Sequence, residues 1–546
     1  MGFVLVGALL FAAVCATAIA LAALAERRVR ASRHLTLGDQ TEYVRWMRDK
    51  HDLNRFGLAQ QLRRGLGGLS SFGASFNVMS LIGSSAVLFG PALMLGGPAV
   101  IGYGWPIVAL FSLAVCASQA EIASAVPTAG GCYHWAAALG GRRWGWYAGW
   151  LHLSGYGALL VLVNVTAAGL LDAYASQRFG YTPGALTFWS WTLALFGTQA
   201  AAHHAGIRLL AAVHAAGAWL QALLAVAIIA GLVWIVWPGA YPADWLYRFD
   251  NPVLGTEGDL WAFAAGTLLL MRAFIGGDAA GHAGEETVDP RIRVPWGMFL
   301  SAAYVAVIGF VLLAFMALSW GAGANAAGGS LFLQLALAPW KAAGPVVAAG
   351  IALALWFSGF AVLGTASRSL FALARDQAAP RSFLWAQVSA KSHMPVRAIW
   401  LVTAAGLTCA VLLDTAVWLQ RLSPVSFTLA FVMLCLHIAY AIPIGLKLTR
   451  RDRWSRLEAD APWRLGGWGK PLGWIAFVWL LLTAAAAVYL FSVWAAAAAA
   501  IIVLVVIIMD FRYGKRHKEG LENASRRTRD EIIRMERTYR RRMSGK

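Results

Sequence analysis

Apolar runs of about 20 residues recur along the whole chain, each long enough to cross roughly 30 Å of hydrocarbon as a helix. A chain of 546 residues has room for several soluble domains, yet 59% of it is hydrophobic, only 13% is charged, and the mean hydropathy is +0.62. These values indicate an all-α polytopic membrane protein, because a helix satisfies its own backbone in lipid. Thirteen such runs are visible. The first, Phe3 to Ala25, has no positive charge before it and is long for a signal-peptide core, although AlaLeuAla precedes Glu26; it reads as an anchor over 1–26. A polar, amphipathic segment follows over 27–66. Spans are expected near 70–92, 103–126, 144–171, 185–202, 209–237, 260–284, 295–319, 343–374, 397–414, 424–446, 472–491 and 493–511. The loop from Trp320 to Gly344 holds GAGANAAGG and then an amphipathic run, LFLQLALAPW, placed to cap the outer vestibule.

The formal net charge of +19 suggests a nucleic-acid partner until the charges are placed. Of the 45 Lys and Arg, alternation of the spans puts 39 on one side, four on the other (Arg178, Arg248, Lys341, Arg421) and two, Arg272 and Arg368, inside helices. That asymmetry marks the basic side as cytoplasmic, with the N-terminus outside and the basic tail over 512–546 inside. The tail reads as a solvated helix carrying topogenic charge, not as a nucleic-acid binder; the bilayer is the chain's main partner. The five cysteines have no CxxC spacing and read as small core residues, and HisHisAlaGlyIleArg at 203–208 lacks a second ligand pair, so no metal or cofactor is expected.

Two short motifs recur five spans apart: IleGlySerSerAla at 82–86 and IleGlyGlyAspAla at 275–279. Glycine and serine in mid-span weaken the helical ladder, and a break at that depth is tolerable only around a cavity or substrate. Paired interrupted helices of this kind are found in secondary transporters with a midplane site, whereas small residues also serve simply to pack helices closely.

The stretches SFNVMSLIGSSAVLFGPALMLGGP (75–98), GYGWPIVALFSLAVCASQAEIASAVPTAGGCYHWAAALGG (102–141), FIGGDAAGHAGEETVDPRIRVPWGM (274–298), SRSLFALARDQAAP (367–380) and APWRLGGWGKPLGWIAFVW (461–479) carry a resemblance. They resemble the amino acid/choline transporter branch of the amino acid-polyamine-organocation superfamily. The resemblance implies a leucine-transporter-like fold: inverted five-helix repeats over 67–237 and 259–446, two further helices over 472–511, and an extra helix at the N-terminus. It implies a permease for an amino acid or related amine, with no catalytic residues. By resemblance, the substrate carboxylate meets Gly83, Ser84 and Ser85, and its ammonium meets Phe274, Ile275, Gly276 and Gly277, with Tyr156 lining the same cavity. No oligomeric state follows.

The chain departs from the family at Gly277, where a tyrosine is usual, and at Arg272, where an uncharged residue is usual. The glycine implies a larger pocket or a lost hydroxyl contact. Arg272 is too deep to snorkel, and an unpaired guanidinium in lipid costs at least about 2.5 kcal/mol. Either it meets an anionic group of an acidic substrate, or it pairs with Asp278, Glu121 or Asp172. Asp278 is expected to orient the unwound backbone by accepting its amides, or to exchange a proton. Glu285 and Glu286 are expected to latch an inner gate to Arg291 or Arg293. Thr365 and Ser367 are candidates for a sodium site; Gln221 occupies the place of a titratable group in some relatives, and His214 lies two turns before it. Proton and sodium coupling are both compatible with these residues. A ligand-binding sensor built on the same fold is the rival reading, and an intramembrane enzyme a poorer one, for lack of a catalytic constellation.

Overall fold

The computed structural model describes residues 2–36, 42–237, 239–249, 258–320, 330–415 and 424–544. The GAGANAAGG stretch at 321–329 and Arg421 lie outside these. Among the described residues there is no β-strand, only an isolated parallel bridge between Leu66 and Thr287. The chain begins with α1 (Gly2–Thr36) and α2 (Glu42–Asn54), followed by α3 (Gly68–Met79), α4 (Leu81–Gly96), α5 (Trp105–Ala125), α6 (Cys132–Gly140), α7 (Arg142–Phe179), α8 (Ala185–His204) and α9 (Ile207–Gly231). The second half contains α10 (Leu260–Met271), α11 (Ala279–His282), α12 (Pro290–Leu318), α13 (Leu331–Leu337), α14 (Gly344–Arg375), α15 (Ser382–Trp385), α16 (Val396–Thr415) and α17 (Pro424–Thr449). It closes with α18 (Arg451–Glu458), α19 (Gly469–Phe491), α20 (Val493–Arg526) and α21 (Arg529–Ser544).

Among the described residues, twelve spans are long and apolar enough to cross a membrane, counting α3 with α4 and α10 through α11 as one each. The thirteenth expected span, 185–202, is the helix α8, which falls short in apolar character. Its polar side chains face inward: Gln199 Nε2 donates to Asn164 Oδ1 at 2.8 Å, and His203 Nε2 lies 2.8 Å from the Phe360 carbonyl. α1 docks along α5 and α12, with Phe11 stacked on Phe310 at 4.3 Å, so the anchor is part of the bundle.

α3 lies at the centre, packed against α9, α11, α12 and α14. Its sequence GLSSFGASFNVM is rich in small residues, which allow close backbone approach in a membrane. A Cβ on Gly73 would stand 2.1 Å from the His214 carbonyl, so that approach needs glycine. The run at 331–340, expected to cap the outer vestibule, forms α13 and a following 3-10 turn against the middle of α4, with Phe332 edge-on to Phe89 and Ser330 Oγ donating to the Ala86 carbonyl at 2.6 Å.

Candidate functional site

Both expected breaks are present, and they touch. α3 ends at Ser80, whose φ of 46° is left-handed, and α4 restarts at Leu81. In the second half, a short 3-10 turn over Arg272–Phe274 leads to extended Ile275 and to Gly276 at φ +102° before α11. Ser75 Oγ joins the two: it donates to the Gly277 carbonyl at 2.8 Å and accepts the Ala280 amide at 3.0 Å. Gly276 is required twice over, by its positive φ and because a Cβ there would lie 2.0 Å from Val78 Cγ1.

The first break lies three residues earlier than expected. Gly83, Ser84 and Ser85 are already inside α4, and Ser80 makes the bend. A serine in the left-handed region costs roughly 1–2 kcal/mol. Side chains hold it there: Ser80 Oγ donates to Gln221 Oε1 at 3.1 Å, while Gln221 Nε2 donates to Asn77 Oδ1 at 2.9 Å. Gln221 thus ties the bend residue to Asn77, one turn before it. The first ladder bond of α4 runs from the Ser84 amide to the Ser80 carbonyl at 2.7 Å, leaving the amides of Leu81, Ile82 and Gly83 at a positive helix terminus.

Arg272 is bound by the bend itself. Its guanidinium donates to the Val78 carbonyl from both Nη atoms at 3.2 Å and to the Met79 carbonyl at 3.4 Å. The three expected acidic partners are engaged elsewhere: Asp278 with tyrosines and histidine, Glu121 with Lys447 at 2.5 Å, and Asp172 with Tyr181 at 2.7 Å. Breaking α3 frees carbonyls, and a guanidinium from the second break fills the place of their lost partners. Among the described residues no carboxylate forms an ion pair with Arg272. It lines a cavity of about 20 Å³ with Gly83, Ser84, Leu162 and Ser358, space for about one water. The Ser358 hydroxyl there is buried without a partner.

The expected substrate residues do not share one cavity. Phe274, Ile275 and Gly277 line a second space of about 20 Å³ with Cys116, His437 and Tyr440, on the opposite face of the second break. Phe274 also packs on Trp105 at 5.1 Å. Glycine at 277 does not enlarge a pocket: a Cβ there would lie 2.6 Å from Cys116 Sγ and 2.9 Å from Met79 Cε.

Tyr156 and Asp278 belong to a third, fully buried group. Asp278 Oδ1 accepts from Tyr156 at 2.7 Å and Tyr440 at 2.5 Å; Oδ2 lies 2.7 Å from His152 Nε2, 3.4 Å from His282 Nε2 and 3.9 Å from Cys132 Sγ. Asp278 therefore gathers side chains, whereas Ser75 takes the orienting role expected of it. His152, Tyr440, Ser369 and Cys132 escape sequence reasoning because they come from four separate helices. Only His282, one turn after Asp278, leaves a local spacing signal.

Glu285 and Glu286, the acids expected to latch an inner gate, also have other partners than expected. Glu285 pairs with Arg375 at 2.8 Å, and Glu286 accepts from Arg368, both on α14; Arg291 instead meets Asp52 at 3.3 Å, and Arg293 offers its carbonyl to Ser71 at 3.4 Å. Burial alone would push the Glu285 carboxyl up, but Arg375 and the Ala129 amide hold it below the usual value. Asp376, beside the latch, is likewise buried, yet His134, Arg375 and Tyr133 keep it at about 2. The segment before α3 lies beneath the latch, its Gly65 and Leu66 amides donating to the Glu286 carbonyl at 2.8 and 3.0 Å. The tail holds that segment in turn: Gln61 Nε2 donates to Tyr539 Oη at 2.9 Å, and Lys50 pairs with Glu536. The tail helix is thus docked on the protein.

The remaining candidates are packed. Thr365 and Ser367 donate to carbonyls of their own helix, at 3.0 Å to Ala361 and 2.5 Å to Leu363. His214 is buried edge-on to Phe360 at 5.4 Å, with Nδ1 unpartnered.

The sequence profile described as amino acid permease matches residues 66–509. The chain belongs to the amino acid permease family. Its relatives include the rice (Oryza sativa subsp. japonica) protein named amino-acid permease BAT1 homolog, 28% identical over 468 residues, covering 81% of this chain and 87% of the relative. Amino-acid permease BAT1 of Arabidopsis thaliana is 28% identical over 463 residues, covering 79% and 86%. Amino-acid permease 2 of Neurospora crassa is 25% identical, covering 78% and 79%. Both breaks, Arg272 and Asp278 fall inside the matched region. The family is one of membrane transporters, not of enzymes, and its members' names point to amino acids.

Proposed function

We propose that this permease is a secondary active transporter that moves an amino acid or related amine across the cytoplasmic membrane by alternating access. One observation carries the reading: a guanidinium without a carboxylate partner among the described residues stands beside the N-terminus of α4 in a small cavity. Both features attract an anion. The substrate α-carboxylate sits between Arg272 and the amides of Leu81, Ile82 and Gly83, with Ser84 and Ser358 beside it. Its ammonium faces the backbone carbonyls of Phe274 and Ile275 at the second break once the two small cavities merge in the loaded state. An acidic substrate places its second carboxylate on Arg272.

The basic side is cytoplasmic in this reading, with the N-terminus outside. The pairs Glu285–Arg375 and Glu286–Arg368 then close the cytoplasmic exit, and release of substrate requires α14 to separate from the second break. α3–α4 with α5 to α9, and α10–α11 with α12 to α17, form the two inverted five-helix repeats. Radiolabelled L-glutamate, L-alanine and L-arginine in proteoliposomes test the proposal: the transported probe is recovered unchanged inside and released by unlabelled substrate. Binding without passage would instead favour a sensor, a reading supported by the docking of α21 beneath the latch.

A further inference from the structure

Asp278, His152, Ser369 and His282 close a ring of polar contacts inside the membrane. His152 Nε2 is 2.7 Å from Asp278 Oδ2 and its Nδ1 is 3.1 Å from Ser369 Oγ; His282 Nδ1 is 3.2 Å from that hydroxyl and its Nε2 3.4 Å from that carboxylate oxygen. Each of these four contacts needs one proton between its heavy atoms, or lone pair faces lone pair. With Asp278 ionised and both imidazoles neutral, each ring brings one N–H and the serine one O–H, three protons for four contacts. No choice of tautomers removes the shortage. The bare contact is visible: His282 Nε2 is buried without a hydrogen-bond partner, in a residue only 1% exposed. The Thr365 carbonyl, 3.1 Å from the same hydroxyl, competes for the serine proton and deepens the deficit.

One added proton completes the ring and cancels the Asp278 charge, where an uncompensated charge is costly. The other titratable groups around it are Tyr156 and Tyr440, bonded to Oδ1, Cys116 and Cys132, Arg272, and His134. Of these only His134 ordinarily titrates near neutrality, and it is engaged by Thr128 at 2.7 Å and Asp376 at 2.9 Å. A metal ion fits less well. Cys132, His152, Asp278 and His282 place four donor atoms within 4.8 Å of one another, but the two imidazoles stack at 4.3 Å with 20° between their planes. Their lone pairs run side by side, whereas a tetrahedral ion needs them to converge.

We infer that this ring is a proton-binding site and that its proton drives uptake; the second half of this statement rests on the transporter reading. The ring lies between the substrate cavity and the latch. A cavity of about 740 Å³ on the basic side reaches His134 and Asp376, and nearby the Gly131 backbone lies against His282, a Cβ at Gly131 falling 2.2 Å from Nε2. Opening the latch exposes the ring on that side and releases the proton there.

Two measurements on the full chain in lipid test this. Nitrogen-15 spectra of histidine-labelled protein in nanodiscs, from pH 5 to 8, are expected to contain an imidazolium signal that His282→Gln removes and Ser369→Ala weakens. In proteoliposomes with the potential clamped and the outside one pH unit more acidic, one proton per substrate gives about tenfold accumulation of whichever of L-glutamate, L-alanine or L-arginine is carried. In His282→Gln that ratio falls to about one. Spectra in which His282→Gln removes no imidazolium signal, accumulation indifferent to the gradient, or stoichiometric zinc in the purified protein would each overturn the inference. If none of the three amino acids crosses, the transporter reading fails, and the spectra still decide the proton site.

Discussion

The two sides of the broken helices handle charge in opposite ways. Away from the basic side, Arg272 is held by neutral carbonyls of Val78 and Met79 and keeps its charge available to a cavity. Towards the basic side, charges are matched: Glu285 with Arg375, Glu286 with Arg368, and Glu121 with Lys447. A matched pair resists opening, because separating it strands a buried charge. An unmatched cation invites an anion. In the proposed mechanism one side captures substrate and the other gates, and substitutions should separate the two.

The largest effect is expected at the latch. Glu286→Ala strands Arg368, and removing one partner of a buried pair costs about 3–5 kcal/mol. In a variant keeping only Cys132, which is now buried, alkylation from the basic side should accelerate at least about 100-fold. The double exchange Glu286→Arg with Arg368→Glu should restore most of the protection. Next comes Arg272→Gln, which removes the capture charge and several charge-assisted bonds worth about 3 kcal/mol in all. Uptake efficiency should fall by about 100-fold while Cys132 alkylation changes little. Gln221→Leu unties Ser80 from Asn77 and should cost about 1–2 kcal/mol of thermal stability, read as a lower melting temperature. Ser358→Ala is the mildest: the hydroxyl has no partner in this state, so stability should hold and only the KM rise, by about fivefold. Equal effects of Arg272→Gln and Glu286→Ala on both alkylation and uptake would erase the division.

Spans and the second break were legible because they leave local marks: apolar length in one case, adjacent glycines and an aspartate in the other. The first break was displaced by three residues because a serine adopts the left-handed conformation at Ser80 only when Gln221 and Asn77 hold it, and such support has no local signature. Arg272 was conspicuous, but its partners were not, since any residue supplies a carbonyl. Glu285 and Glu286 form buried ion pairs, but not with the expected bases: Arg291 and Arg293 are close in sequence, whereas Arg368 and Arg375 arrive from α14. His152, Ser369 and Tyr440 each look like an ordinary helix residue until three distant segments place them around one carboxylate.

Recognition of the α-carboxylate at the first break is the central claim, and competition for uptake tests it most directly. L-Alanine and L-glutamate are compared with L-alaninamide and L-isoglutamine, which differ only in carrying an amide in place of that carboxylate. The account predicts that the amides compete about 30-fold more weakly, reflecting roughly 2 kcal/mol of charge-assisted bonding, and that the gap closes in Arg272→Gln. Amides that compete as well as the acids would contradict it.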